Sequence, residues 1–219
     1  VIAVELDVDL VDELSANLSE YENVKIIHSD ARKLDLANLL SQGIEYKVIA
    51  NLPYYAALPI VRVFLESKIK PIRMVVMVQR EVARKIVAMP GDISLPSIAI
   101  QLYGHPRIVK YVSPMSFRPI PKVTSAILRI DVYSEPVLNL ESEEDFFKFV
   151  KAVFIAPRKQ IRNCLRTNLS LENSETDNLL SGAHIDPVRR PQTINLEEWG
   201  TLYNCWKKIL RKQGINDCL

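Results

Sequence analysis

Short, mainly apolar runs recur along the amino-terminal part of the chain, each separated from the next by enough residues for a helical crossover. The runs are Val1–Leu6, Val24–Ile27, Tyr46–Ala50 and Met74–Val78. Strands that are apolar throughout, rather than alternating, are typical of a parallel sheet that helices cover on both faces. We therefore predict an open parallel α/β sheet with both faces covered, and helices within 8–20, 34–40 and 81–88 and from Pro59 onward.

Two later runs, Ile108–Val112 and Ser125–Val132, have no helix between them. Three prolines interrupt the connection, so we predict that the two strands pair antiparallel at the edge of the sheet. A polar stretch, Ser134–Asn139, then separates residues 1–134, an α/β domain, from residues 135–219, which we predict to be a small all-helical domain.

Local signals place the helices of the carboxy-terminal part. Ser142 precedes an acidic first turn, and Pro157 is expected to begin a second helix. Asn195 and Glu198 have the spacing of a capping box, ahead of an apolar stripe that we assign to the core. We expect the Arg189-Arg190 pair and the basic group from Lys207 to Lys212 to lie on the solvated surface.

Composition excludes several classes of function. The chain is 48% hydrophobic with a net charge of +2, which excludes a disordered chain or a simple polycation. No apolar run approaches the roughly 18 residues of a membrane span. The six glycines offer no GxGxxG loop for a nucleotide. Scattered Cys164, Cys205 and Cys218 favour reduced thiols in a cytoplasmic protein, and we expect no metal site.

Polar residues end three of the predicted parallel strands, at Glu5, Asp30 and Asn51. In open α/β sheets a ligand binds beyond the carboxyl ends of the strands. A carboxylate there accepts hydrogen bonds from both hydroxyls of a ribose, and Asp30 is placed to accept from an adenine amino group. The alternative is that both acids only cap the segments that follow them.

The tetrapeptide Asn51-Leu52-Pro53-Tyr54 follows a buried strand directly. Methyl transfer to an exocyclic amino nitrogen requires its lone pair to leave conjugation with the ring. The amide oxygen of Asn51 and the carbonyl of Leu52 or Pro53 supply two acceptors that favour a nucleophilic nitrogen. Tyr54 offers a face for stacking a flipped or single-stranded base. By itself the motif is also common in ordinary turns.

A second loop, Phe117-Arg118-Pro119-Ile120-Pro121-Lys122, combines an aromatic ring with stiffening prolines. Phe117 is a ready platform for base stacking, and Lys122 is a candidate phosphate contact. The alternative is a rigid hairpin in which Phe117 packs on the core.

With these motifs in place, almost the whole chain resembles the small-subunit ribosomal RNA adenine-N6 dimethyltransferases. The order and spacing of six blocks make the resemblance specific. The blocks are VELD (4–7), SDA (29–31), NLPY (51–54), VQREVARKIV (78–87), SFRPIPKVTSAILRI (116–130) and FFKFVKAVFIAPRKQIRNCL (146–165).

The resemblance implies a class I, Rossmann-like methyltransferase fold and S-adenosylmethionine as methyl donor. It assigns Glu5 to the ribose of the donor, and Asp30 with Ala31 to its adenine. It places Asn51 to Tyr54 around the target amino group and stacks Phe117 on the target adenine. The implied reaction dimethylates N6 of two adjacent adenines near the 3′ end of small-subunit rRNA, in ribosome biogenesis. The implied partner is that rRNA or the pre-ribosomal small subunit, and we expect a monomer.

The family's first strand and glycine-rich loop have no counterpart in the sequence, so we expect Val1 to correspond to the start of the family's second strand. The chain as given is then expected to lack a complete methionine-binding loop and to be inactive by itself. Tyr55 also departs from the smaller or hydroxylic residue that is usual after the tetrapeptide.

Basic residues without an intervening acid mark Phe146–Arg166 as a candidate RNA-binding segment. If Pro157 begins a helix, residues four apart share a face. The alternative is a solvated helix face balanced by the acidic run before it. The RNA-contacting candidates are Lys151, Arg158, Lys159, Arg162 and Arg166.

Two other functions stay open on the sequence. One is a non-enzymatic RNA-binding factor for ribosome assembly on a methyltransferase scaffold. The other is a methyltransferase that acts on DNA adenine or another amino group.

Overall fold

Strands and helices alternate through the first half of the chain, and helices alone follow the last strand. The computed structural model describes residues 1–41 and 43–212, so Cys218 lies outside the described residues. The strands are β1 (Ile2–Glu5), β2 (Lys25–His28), β3 (Lys47–Asn51), β4 (Arg73–Gln79), β5 (Gly104–Val112) and β6 (Ser125–Val132). The helices are α1 (Val8–Asn17), α2 (Leu36–Leu39), α3 (Ala57–Glu66), α4 (Arg80–Ile86), α5 (Leu95–Gln101), α6 (Glu143–Val153), α7 (Ile161–Asn168), α8 (Asn173–Gly182) and α9 (Leu196–Lys212).

The six strands form two sheets among the described residues. β1 and β2 pair parallel, and the second sheet has the order β3-β4-β6-β5. β3 and β4 are parallel, whereas β6 runs antiparallel to both β4 and β5. The predicted antiparallel hairpin is therefore confirmed, with β5 at the edge. Its register sets Gln79, Ser125 and Val112 side by side where β4 and β5 end and β6 begins.

Helices cover one face of the larger sheet. α3 and α4 each contact α5, and the three helices form a single layer. Beneath them Met74, Val76 and Val78 of β4 are buried, while alternate residues of the same strand are half-buried. On the opposite face Ile49 of β3 is 84% exposed. The prediction that both faces are covered is therefore wrong at β3 for the described residues, because Ile49 is open to solvent.

Aromatic side chains build the core of the helical part. Trp199, Tyr203 and Trp206 of α9 are buried, which confirms that their stripe belongs to the core. Phe149 of α6 lies with its ring centroid 4.9 Å from that of Trp206. The predicted capping box is present: Glu198 N–H donates to Asn195 Oδ1, and Asn195 N–H donates to Glu198 Oε2, both at 2.8 Å.

Helix α7 begins at Ile161, so the prediction that a helix starts at Pro157 is wrong. The N–H of Ile161 donates to the carbonyl of Arg189 at 2.7 Å, so the start of α7 is fixed by a distant loop. Arg158 and Lys159 consequently lie in the turn before the helix. The expected common helix face of residues 158, 162 and 166 is reduced to Arg162 and Arg166.

Arg189 and Lys207 are less solvated than expected. Arg189 donates to both carboxylate oxygens of Glu198 and to the carbonyl of Thr193. Lys207, with only 15% of its side chain exposed, forms an ion pair with Asp145 at 3.0 Å. Both cations therefore join α9 to neighbouring elements.

Several hydrogen bonds join the helical part to the sheet part. The hydroxyl of Tyr103 donates to Glu143 at the start of α6. The N–H groups of Gly91 and Ile93 both donate to the carbonyl of Gln192, at 3.0 and 3.1 Å. Within residues 1–41 and 43–212, no helix has both the length and the apolar character needed to cross a membrane.

Candidate active site

Glu5 is the last residue of β1, and only one of its two carboxylate oxygens accepts hydrogen bonds from the described residues. Its Oε1 accepts hydrogen bonds from the N–H groups of Leu6 and Asp7, at 2.7 and 3.0 Å. No hydrogen-bond donor among the described residues reaches Oε2. The capping alternative therefore holds for one oxygen, and the other remains available to a ligand hydroxyl.

The carboxyl ends of β1 and β3 enclose an open cleft of about 530 Å³. This volume lies within the usual range for small-molecule sites, and the cleft walls combine acceptors with apolar surface. Its lining residues are Glu5, Leu6, Asp7, Asn51, Leu52, Pro53 and Tyr55.

Asn51 and Leu52 present two free acceptors at this cleft. Asn51 is the exposed last residue of β3, and its side chain makes no hydrogen bond within the described part of the chain. The carbonyl of Pro53 accepts from the N–H of Ala56 at 3.0 Å, whereas no described donor reaches the carbonyl of Leu52. Of the two carbonyls left open by the sequence, the geometry favours Leu52.

Tyr54 is anchored away from the cleft. Its hydroxyl lies 2.7 Å from Oγ of Ser125, the first residue of β6. Ser125 is fully buried, whereas the Tyr54 ring is only half-buried. The bond therefore ties the Asn51–Tyr54 loop to the end of the loop that contains Phe117.

Asp30 and Ala31 lie at the neighbouring strand end, outside the cleft lining. Asp30 caps a short 3-10 turn, Ala31–Lys33, by accepting from the N–H of Arg32 at 2.9 Å. The Arg32 guanidinium also donates to both Asp30 oxygens, with Nη2 to Oδ2 at 2.6 Å. Hydrogen bonding from the Arg32 side chain lowers the pKa of Asp30 to about 2. Asp30 thus stays ionised at working pH, with Arg32 as its present partner.

Phe117 is half-buried and is not among the side chains that pack on the hydrophobic core. The alternative that it packs on the core therefore does not hold. Its neighbours Ile120 and Lys122 are exposed, so the loop presents apolar and basic groups to solvent.

The candidate RNA-contacting cations differ in whether they already pair with another side chain of the protein. Lys151, Arg158 and Lys159 are exposed and have no ion-pair partner among residues 1–41 and 43–212. Arg162 pairs with Asp177 of α8 at 2.8 Å, and Arg166 donates to Asn173 at 3.3 Å. The first three are therefore the freest to contact an anionic backbone.

Sequence reasoning missed Leu6, Asp7, Tyr55 and Ser125 as parts of the site. Tyr55 is 76% exposed at the cleft mouth, and only its departure from the usual residue signalled it. Asp7 caps α1, which accounts for its place beside Glu5. Nothing in the sequence paired Ser125 with Tyr54, since the two are 71 residues apart.

Comparisons with known proteins agree over nearly all of the chain. A sequence model described as "Ribosomal RNA adenine dimethylase" matches residues 1–205. A protein from Dehalococcoides mccartyi (strain CBDB1), named "Ribosomal RNA small subunit methyltransferase A", is 44% identical over 100% of this chain and 72% of its own length. A protein of the same name from Alkaliphilus oremlandii (strain OhILAs) is 42% identical over 96% of this chain and 75% of its own length.

Two solved structures share the fold at lower identity. A dimethyladenosine transferase from Plasmodium falciparum superposes with a TM-score of 0.73 and 19% identity, covering 98% of this chain and 82% of that one. The 23S rRNA methyltransferase ErmE gives a TM-score of 0.69 and 22% identity, over 94% and 81%. They confirm the predicted Rossmann-like α/β fold followed by helices.

Proposed function

Since the chain belongs to the ribosomal RNA adenine dimethylase family, we propose that the full-length protein dimethylates N6 of two adjacent adenines near the 3′ end of small-subunit rRNA. All variants are made in that full-length protein. S-adenosylmethionine is the methyl donor of this family. When bound, it would supply a methyl group on a sulfonium: the N6–methyl bond would form as the sulfur–methyl bond breaks, and the proton that N6 loses would pass to solvent in the open cleft.

The pair of free acceptors at the cleft carries the proposal. Asn51 Oδ1 accepts one N6–H of the target adenine, and the carbonyl of Leu52 accepts the other. Both bonds favour a tetrahedral nitrogen, whose lone pair is directed out of the ring plane toward the cleft. Pro53 stiffens the loop, and its carbonyl is already held by Ala56, so the acceptors are preorganised.

Two aromatic rings hold the target base. Tyr54, fixed through Ser125, stacks on one side of the adenine, and Phe117 supplies a second ring from the other loop. Because the sulfonium is a good leaving group, holding the nitrogen in line with the methyl group does most of the catalytic work.

The methyl donor is held from the β1 and β2 ends. Glu5 Oε2 is free to accept a hydrogen bond from a ribose hydroxyl. Asp30 and the Ala31 backbone bind the donor's adenine, which requires Asp30 to share or release Arg32. Glu5 fits the donor because it presents a free acceptor in the wall of a cleft of small-molecule size, and Asp30 adds a carboxylate at the neighbouring strand end.

We assign residues 1–134 to methyl transfer and residues 135–219 to rRNA binding. The cations that are exposed and available to the RNA backbone are Lys122, Lys151, Arg158 and Lys159. Arg162 and Arg166 add positive charge on the helix that follows Lys159. The natural partner is the pre-ribosomal small subunit, in the cytoplasm where bacterial rRNA matures. All the site residues come from one chain and none of the steps above calls for a Lewis acid, so a monomer without metal suffices.

Similarity of the whole chain to proteins named as methyltransferases does not favour a non-enzymatic assembly factor. The names also specify ribosomal RNA, which separates this family from enzymes acting on DNA.

Asn51→Ala tests the proposal. Removing the amide oxygen leaves only one acceptor for the amino group, so we expect methyl transfer to small-subunit rRNA to fall by at least about a hundredfold in kcat. RNA affinity, measured by fluorescence anisotropy, should stay within about twofold, because no backbone-binding residue is changed.

Asn139→Ala is the matched control, since Asn139 is an exposed asparagine outside the cleft. We expect it to retain wild-type turnover. Wild-type turnover in Asn51→Ala would overturn the assigned mechanism, and wild-type protein that methylates DNA in preference to rRNA would overturn the substrate.

A further inference from the structure

Arg80 lies directly behind the two loops that hold the target base. It is the first residue of α4, immediately after β4. Its N–H donates to the carbonyl of Thr124 at 2.9 Å, and Thr124 precedes the Ser125 that holds Tyr54. A short chain of contacts therefore joins Arg80 to the substrate side of Tyr54.

The Arg80 guanidinium has a defined position and no anionic partner in the described structure. Its Cζ lies 5.4 Å from the ring centroid of Tyr111 on β5, within the range of a cation–π contact. Its Nε is buried and makes no hydrogen bond with any described residue. The two Nη atoms also make no hydrogen bond with a described residue, and they are not among the buried atoms, so an acceptor from outside reaches the guanidinium through them. Buried polar groups such as Nε are nearly always satisfied in folded proteins, which makes a guanidinium left without any protein acceptor unusual.

Other arginines in the described part of the chain show the contrast. Several make hydrogen bonds of 2.5–2.8 Å with carboxylates, even where half their side chain is exposed. Arg80 differs in that its Nε is buried without a partner and its guanidinium lies over an aromatic ring rather than against an acid. A fixed, unpaired guanidinium is suited to bidentate recognition of an oxyanion.

The position of the methyl-donor cleft indicates which substrate carries the anion that binds Arg80. That cleft is lined from Glu5 to Tyr55 and does not include Arg80. Tyr54 separates the two, since its backbone continues from the cleft and its hydroxyl reaches Ser125 beside Arg80. The anion that comes to Arg80 therefore belongs to the base-bearing substrate.

We propose that Arg80 is a positioning residue that binds a backbone phosphate of the rRNA next to the target adenine, with Tyr111 holding the guanidinium plane. This inference rests on the proposed function and deepens it. A phosphate held at Arg80 fixes the strand on one side of Tyr54 while Asn51 and Leu52 hold the amino group on the other.

The test compares Arg80→Met, Arg80→Gln and Arg80→Lys with the wild type, using a fluorescently labelled fragment of small-subunit rRNA that carries the adjacent adenines. For Met and Gln we expect KM for the RNA to rise about tenfold to a hundredfold. KM for S-adenosylmethionine should not change. The slope of log affinity against log salt should become shallower by about 0.7, the value for one single-strand phosphate contact. Arg80→Lys should keep the wild-type slope.

Lys85→Met is the control, since Lys85 is an exposed cation of the same helix. It should leave both KM values unchanged. Thermal unfolding identifies any variant that does not fold. If Arg80→Met does not fold, Arg80→Gln, which retains a polar side chain, takes its place in the comparison. An unchanged salt slope and KM in a folded variant would overturn the role of Arg80. If the wild type did not methylate the RNA, the proposed function would be overturned instead. The slopes of log RNA affinity against log salt would still decide the role of Arg80.

Discussion

The hydrogen bond between Tyr54 and Ser125 should couple stability to catalysis, and Tyr54→Phe removes it without removing the ring. The two oxygens lie 2.7 Å apart. Ser125 is fully buried, and its hydroxyl has no other hydrogen-bond partner among the described residues. The phenol of Tyr54 is half-buried and within reach of water.

The difference in burial between Ser125 and Tyr54 sets how much unfolding free energy each variant loses. Tyr54→Phe leaves a buried hydroxyl without a partner, which costs about 1–3 kcal/mol of unfolding free energy. Ser125→Ala leaves the phenol able to bind water, so the cost should be about 0.5–1.5 kcal/mol. The double variant removes both groups, and we expect its cost to fall short of the sum of the single variants by about 1 kcal/mol.

Urea unfolding of the four proteins gives these free energies, and steady-state methylation of small-subunit rRNA gives kcat and KM. The ring that stacks on the base is retained in Tyr54→Phe, so KM for RNA should change little. We expect kcat to fall about tenfold as the Asn51–Tyr54 loop loses its anchor. Strictly additive unfolding free energies, or an unchanged kcat, would refute the reasoning.

Two other perturbations follow from the charges of the helical part. The double change Arg158→Met and Lys159→Met should make the slope of log RNA affinity against log salt shallower by about 1.4. Arg162→Met should change this slope less, because Arg162 is already ion-paired. Fluorescence anisotropy across a range of salt concentrations measures both slopes. Hydrogen bonding from Arg189 lowers the pKa of Glu198, so the stability this pair contributes is present above the usual carboxyl range and is lost as pH falls through the lowered pKa. The melting temperature of the wild type should therefore fall more steeply below about pH 4 than that of Arg189→Met, and parallel curves would contradict this.

Elements with strong local signals were predictable from the sequence. The parallel strands, the β5–β6 hairpin and the start of α9 each depend on apolar runs or capping residues that act within a few positions. Helices α5 and α8 were missed because their signals are weak. α5 is only seven residues long and has a proline as its second residue. The first turns of α8 are polar, with burial limited to Thr176, Leu179 and Leu180.

Long-range contacts account for the remaining differences. The start of α7 depends on a carbonyl 28 residues further along the chain, at Arg189. The Arg162–Asp177 pair could not be foreseen without α8. In the site, Glu5 and Asn51 were predictable because strand ends converge, whereas the Tyr54–Ser125 bond and the partner of Asp30 depend on side-chain geometry.

The product of the reaction tests the central claim most directly. Unmethylated small-subunit rRNA, incubated with the full-length protein and S-adenosylmethionine, can be digested to nucleosides and quantified by mass spectrometry. We predict N6,N6-dimethyladenosine at two adjacent adenines with the wild type and none with Asn51→Ala. Methylation at an atom other than adenine N6, or equal product from the variant, would contradict the account.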